Sequence, residues 1–136
     1  MSDGKIGLAE LSVGVPFPAS ALEIMRHAIG APASHLVLTA ALLDPAQAQS
    51  IGLIHHIEPS QSLLEASVGH AQRMARVPAE VYSFSKRQLQ RPARERIAAR
   101  TEEDDKTVLA NWSSQATMDA IAGYLEALER RPRPPR

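Results

Sequence analysis

Apolar positions first gather in a short run, Ile6 to Val13 (IGLAELSV), interrupted by one carboxylate at Glu10. Its length and partial alternation predict one short strand over 6–13. Pro16 and Pro18 then impose a rigid turn, because each proline fixes its own φ and restrains the residue before it. ALEIMRHAI predicts a short helix closed by Gly30, and residues 33–43 predict a second helical segment with Leu36, Val37 and Leu38 as its apolar surface. Asp44-Pro45 is a helix start, with an N-cap ahead of proline at the first helical position. That helix runs through AQAQSI and stops at Gly52, and LIHHIEP predicts a second strand cut off by Pro59.

Beyond residue 60 the spacing turns helical. Ser62 with Glu65 has the form of a capping box, followed by a stripe of Leu64, Val68, Ala71 and Ala75 with Met74 beside it. Pro78 starts a further helix that Pro92 is expected to interrupt or kink. Helix resumes over 97–112, and Ser113 or Ser114 caps a last helix bearing Met118, Ile121, Leu125 and Leu128. RRPRPPR at the end reads as a disordered tail. The order is strand, short helices, strand, then helix, with no internal repeat. Two short strands do not make a stable sheet alone. Their edges are therefore expected to pair with another copy or another chain.

The chain has 136 residues, which suits one domain or a piece of a larger one. Hydrophobic residues make up 44% and charged residues 22%, so a globular core is within reach. Aromatics are only 4%, which favours helix packing over a β-sandwich. With no cysteine, disulfides, thiolate metal sites and cysteine nucleophiles are excluded. The formal net charge is zero, so no global field draws nucleic acid or an anionic membrane. MSDGKIGLAEL lacks a basic start and a long apolar core, so no signal peptide is expected there, and no apolar run approaches the ~20 residues of a membrane span. The expectation is a soluble, cytoplasmic protein.

Candidate chemistry is sparse. Glu10 is the residue of interest: a carboxylate in apolar surroundings is costly unless partnered or protonated, and desolvation raises its proton affinity, which suits an acid/base catalyst. The alternative is that Glu10 points to solvent from a half-buried strand. His55 and His56 are adjacent on the predicted strand and face opposite ways, while His27, His35 and His70 sit on separate helices, so no metal site is expected. Lys86 to Arg100 holds Lys86, Arg87, Arg91, Arg94, Arg96 and Arg100 against the single acid Glu95. These could meet phosphate, of a small ligand or of nucleic acid, or form a solvated face balanced by Glu102 to Asp105. No aromatic platform interleaves them, so the solvated face is the expectation. Ser12, Ser20 and Ser34 lack a nucleophile elbow, and Gly4-x-x-Gly7 is not a phosphate loop.

Several blocks together resemble the C-terminal half of the crotonase superfamily, the enoyl-CoA hydratases and isomerases. Gly7, Glu10, Leu11 and Gly14, followed by the Val15-Pro16-Phe17-Pro18 turn, match the family's Gly-x-x-Glu block. Arg26 to Gly30 match its Arg-x-x-x-Gly helix end. LVLTAALLDPAQAQSIGLIHHIEP matches its most specific block, and SFSK and NWSSQATMDAIAGYLE match its later helices. Three departures stand out. PASA replaces a glycine-rich stretch after the proline turn, Thr39-Ala40 replaces a Thr-Gly pair, and Ala127 stands where some members have a lysine that contacts coenzyme A. Tyr124 matches the aromatic three positions before that lysine, and Arg130 and Arg131 lie close.

The resemblance implies a helix-dominated α/β fold: the C-terminal part of a crotonase-like ββα spiral core over residues 1–60, then a helical assembly region over 61–130, then the tail, 131–136. It implies an acyl-CoA substrate, as in fatty acid metabolism, with Glu10 as acid/base and Phe17, Pro18, Trp112 and Tyr124 as substrate-binding residues. No cofactor is implied, since coenzyme A is part of the substrate. The family's two backbone oxyanion donors, worth ~3 kcal/mol each, and a hydratase's second glutamate belong to the N-terminal half of the fold, which these residues do not match. Activity is therefore expected only with a partner that supplies that half, in a homo-oligomer (trimer or hexamer) or on a partner chain. The alternative is a non-catalytic oligomerisation or partner module derived from such an enzyme. No nucleic acid and no membrane partner is expected.

Overall fold

The computed structural model describes residues 4–130. The tail expected over 131–136 lies outside them. The chain runs β1 (Ile6–Gly7), a 3-10 turn (Glu10–Val13), α1 (Ala19–Ile29), α2 (Pro32–Thr39), β2 (Leu42–Leu43), α3 (Pro45–Ser50), α4 (Leu63–Met74), α5 (Ala79–Trp112) and α6 (Gln115–Glu129). The result is helix-dominated, with β1 and β2 as an antiparallel ladder pairing Ile6 with Leu43 and Gly7 with Leu42.

The strand predicted over 6–13 is corrected to two residues. After Gly7 the chain turns on itself, and the Ser12 N–H and hydroxyl both donate to the Ala9 carbonyl, at 2.9 and 2.6 Å. A serine that bonds its own backbone locally competes with strand pairing. The second predicted strand, over 53–59, is absent. Leu53 N–H donates to the Ala48 carbonyl and Gln49 Nε2 to the His55 carbonyl, so backbone groups that a ladder would have used are taken up at the end of α3.

Helix ends were more legible. Gly30 closes α1 at φ +63°. The second segment ends sooner than 43, at Thr39, because Ala40 takes a left-handed φ of 50° and Leu42–Leu43 leave as β2. Glycine would adopt that φ without a Cβ penalty. Asp44 caps α3, and its box is reciprocal: Gln47 N–H donates to Asp44 Oδ1 at 2.8 Å while Asp44 N–H donates to Gln47 Oε1 at 2.9 Å. Asp44→Ala is expected to cost about 1 kcal/mol, read as a lower urea midpoint with unchanged slope. An unchanged midpoint would mean that water replaces the cap without loss.

Two expectations at α4 are overturned. The Ser62–Glu65 box does not form: Ser62 has helical φ and ψ, and its hydroxyl donates to the Pro59 carbonyl at 3.2 Å. The stripe of Leu64, Val68, Ala71 and Ala75 buries nothing, and Leu64 is 78% exposed. Pro92 does not interrupt α5. Residues 79–92 of that helix stand largely in solvent, and burial begins at Ala93, where α5 packs on α1.

The core joins Ile29, Ala33 and Leu36 to Leu8, Met25, Leu43, Ile51 and Leu53. Across α1 and α5 the contact is charged. Glu23, with its side chain 4% exposed, accepts from Arg26 Nη1 and Arg96 Nε, each at 2.5 Å. Asp105 Oδ1 accepts from Ala19 N–H at 3.0 Å, satisfying one free donor at the start of α1. The hydrogen bond from Arg96 holds the Glu23 carboxyl below its ordinary value of 4.5; burial opposes this, and the charges of Arg26, Arg96 and Arg100 add to the lowering. A depressed carboxylate contributes stability that is present above its unfolded value and lost as pH falls through the folded one. Glu23→Gln is therefore expected to cost about 1–2 kcal/mol at pH 7, small for a buried pair because both guanidinium groups stay half-exposed. Below pH 4.5 the difference should shrink. Melting curves from pH 7 to 3 check this, and a gap constant across the range would refute the assignment.

Candidate active site

Glu10 opens the 3-10 turn, and its backbone carbonyl accepts from Val15 N–H at 3.0 Å. Gly14 reverses the chain at φ +74°, and Val15, 1% exposed, anchors the far side. A short apolar segment between two fixed points thus sets where the Glu10 carboxylate sits.

Glu10 lines an open cleft of about 440 Å³. One wall is Gly7, Ala9, Val13 and Val15, from β1 and the turn. The other is Trp112, at the end of α5, with Ile121 and Tyr124 from one face of α6. Helix α6 packs on the 3-10 turn, and Trp112 Nε1–H donates to the Pro16 carbonyl at 3.3 Å, tying the end of α5 to the proline turn. The start of α6 is fixed in turn: Ser114 Oγ accepts from Thr117 N–H at 3.2 Å, and buried Thr117 bonds Asn111 at 3.3 Å. Glu10 Oε2 is buried and has no hydrogen-bond partner among the described residues.

The structure therefore brings together three of the residues singled out in the sequence: Glu10, Trp112 and Tyr124. Phe17 is buried and Pro18 half-buried, and neither lines the cleft. Pro18 instead holds the start of α1, where its carbonyl accepts from Ala21 N–H. Val13, Val15 and Ile121 were not singled out as site residues; Ile121 was visible only as part of a helical stripe. Arg96 leaves the basic segment to pair with Glu23, Arg94 bonds Gln90, and Lys86 lies 5.8 Å over the Tyr82 ring.

The histidines behave differently from the strand picture. His56 and His70 meet as tilted rings, with centroids 4.0 Å apart and planes at 37°. Burial, then the charges of Arg73 and His56, lower the His70 pKa, with Glu58 opposing. Among the described residues no group of three or more His, Cys, Asp or Glu side chains is placed to hold a metal ion, and no helix is long and apolar enough to cross a membrane.

A protein-family model described as enoyl-CoA hydratase/isomerase matches residues 2–133. The match runs along nearly the whole chain and includes every residue of the cleft. Comparison with curated proteins and with solved structures finds no match.

Proposed function

The chain belongs to the enoyl-CoA hydratase/isomerase family, and from that premise we propose that it acts on an acyl-CoA thioester. In this reading Glu10 moves a proton beside the thioester carbonyl, and the enolate that develops is stabilised by hydrogen-bond donors. One pair of observations supports it above the rest: Glu10 lines an apolar cleft, and its Oε2 is buried without a partner among the described residues. A polar atom left unsatisfied in this way lowers stability. That cost makes chemical sense where the carboxylate serves a substrate rather than the fold.

Trp112 and Tyr124 would wall the acyl group, with Phe17 and Pro18 supporting the turn from behind. Coenzyme A enters as part of the substrate, and the reading needs no separate cofactor. We take the chain as the C-terminal part of a ββα spiral core with its helical assembly region. The enolate-stabilising backbone donors would then come from another segment, on a further copy in a trimer or hexamer or on a partner chain. The proposed setting is cytoplasmic fatty acid metabolism.

A second reading, a non-catalytic assembly module, draws on the exposed apolar side chains of α4 and early α5, among them Leu64, Met74, Phe84 and Leu89. Contiguous exposed apolar surface marks interaction sites. The discriminating test is turnover of crotonyl-CoA and a 3-enoyl-CoA by the purified chain beside Glu10→Gln. Turnover that depends on Glu10 supports the enzyme reading. Binding of either thioester without turnover leaves this chain as half of a site that a partner completes, and neither turnover nor binding leaves the assembly module.

A further inference from the structure

Three residues of the Glu10 cleft carry polar side-chain atoms: Glu10, Trp112 and Tyr124. The Trp112 N–H is already committed to the Pro16 carbonyl. The Tyr124 hydroxyl has no hydrogen bond with any described residue, which makes it the remaining side-chain donor of the cleft among the described residues. An ionised Glu10 only accepts hydrogen bonds, whereas a phenol O–H donates. A ligand that satisfies both therefore carries an acceptor oxygen towards Tyr124 and an acidic hydrogen towards Glu10. A carbonyl with a C–H beside it has this arrangement.

We infer that Tyr124 is a substrate-binding donor, its phenol O–H bonding the thioester carbonyl oxygen while Glu10 faces the neighbouring carbon. This rests on the acyl-thioester reading above and adds to it a side-chain donor from α6, besides any backbone donors. The position suits the residue. Ile121, one turn earlier, joins Tyr124 in lining the cleft, and no described residue takes up the phenol hydroxyl. The Trp112–Pro16 bond and the α6 packing hold that wall against the turn that carries Glu10.

Trp112 is the chain's single tryptophan and lines the cleft, so its fluorescence reports binding there. The experiment titrates the protein with butanoyl-CoA, whose hydrogens beside the carbonyl are acidic, and with the matched S-butyl thioether of coenzyme A, which lacks the carbonyl oxygen. The wild type should bind the thioester more tightly. Tyr124→Phe should weaken the thioester about tenfold, or ~1.4 kcal/mol, and leave the thioether unchanged. Equal losses for both ligands would show a packing role and overturn the inference, as would no loss for either. If the wild type binds neither ligand, the acyl-thioester reading itself fails and takes this inference with it. A melting curve of Tyr124→Phe matching the wild type excludes misfolding as the cause of any loss.

Discussion

In an assembly that turns over crotonyl-CoA, Glu10→Gln is expected to lower kcat by about 10²- to 10⁴-fold, the usual contribution of a positioned acid/base group. Glutamine keeps the shape of the side chain and removes its ability to take a proton. The cleft wall of Val13, Val15, Ile121 and Trp112 should therefore stay intact, and KM should change less than kcat. Stability should not fall with activity. Glu10 Oε2 has no partner among the described residues to lose, and an amide is cheaper to bury than a carboxylate. Loss of enoyl-thioester absorbance measures the rate, and thermal melting measures the fold. A variant that keeps its rate within threefold of the wild type would remove Glu10 from the mechanism. A variant that loses rate and fold together would recast Glu10 as structural.

Gly7→Ala is expected to destabilise the protein by about 3 kcal/mol, the upper end for overpacking. A Cβ at Gly7 would lie 2.2 Å from the Ala41 carbonyl oxygen, with Ala41 C at 3.1 Å and Leu42 Cδ2 at 3.0 Å. The obstacle is backbone, so no side-chain rotation relieves it. The Gly7–Leu42 pairing must open instead, and with only two residues in each strand the whole ladder yields. Because Gly7 also lines the Glu10 cleft, acyl-thioester binding should weaken along with stability. Urea unfolding gives the energy, and Trp112 fluorescence gives the binding. A loss under 1 kcal/mol would mean that residues 41–43 shift aside without cost. The glycine was conspicuous in the sequence as part of a family block, but the reason for it lies in the close approach of a segment more than thirty residues away.

What the sequence determined by itself was local. Gly30 after α1, Asp44-Pro45 before α3, Pro78 before α5 and Ser114 before α6 all act on their own helix ends. Capping and proline geometry need no distant partner, so these signals survive whatever the rest of the chain does. Glu10 stood out for a similar reason, as a lone carboxylate among apolar neighbours. The tertiary structure decided everything that depends on a partner. Residues 53–59 have strand-like composition, yet they form no strand, because α3 takes up their backbone groups. The α4 stripe has core-like spacing, yet no element among the described residues covers it. Glu23, unremarkable within its helix, became the most buried charge once α1 met Arg96 on α5. The cleft itself joins Glu10 to Trp112 and Tyr124 from the far end of the chain. Periodicity reports which side chains seek burial; only the docking of α5 and α6 on the proline turn settles which of them find it and which stay exposed.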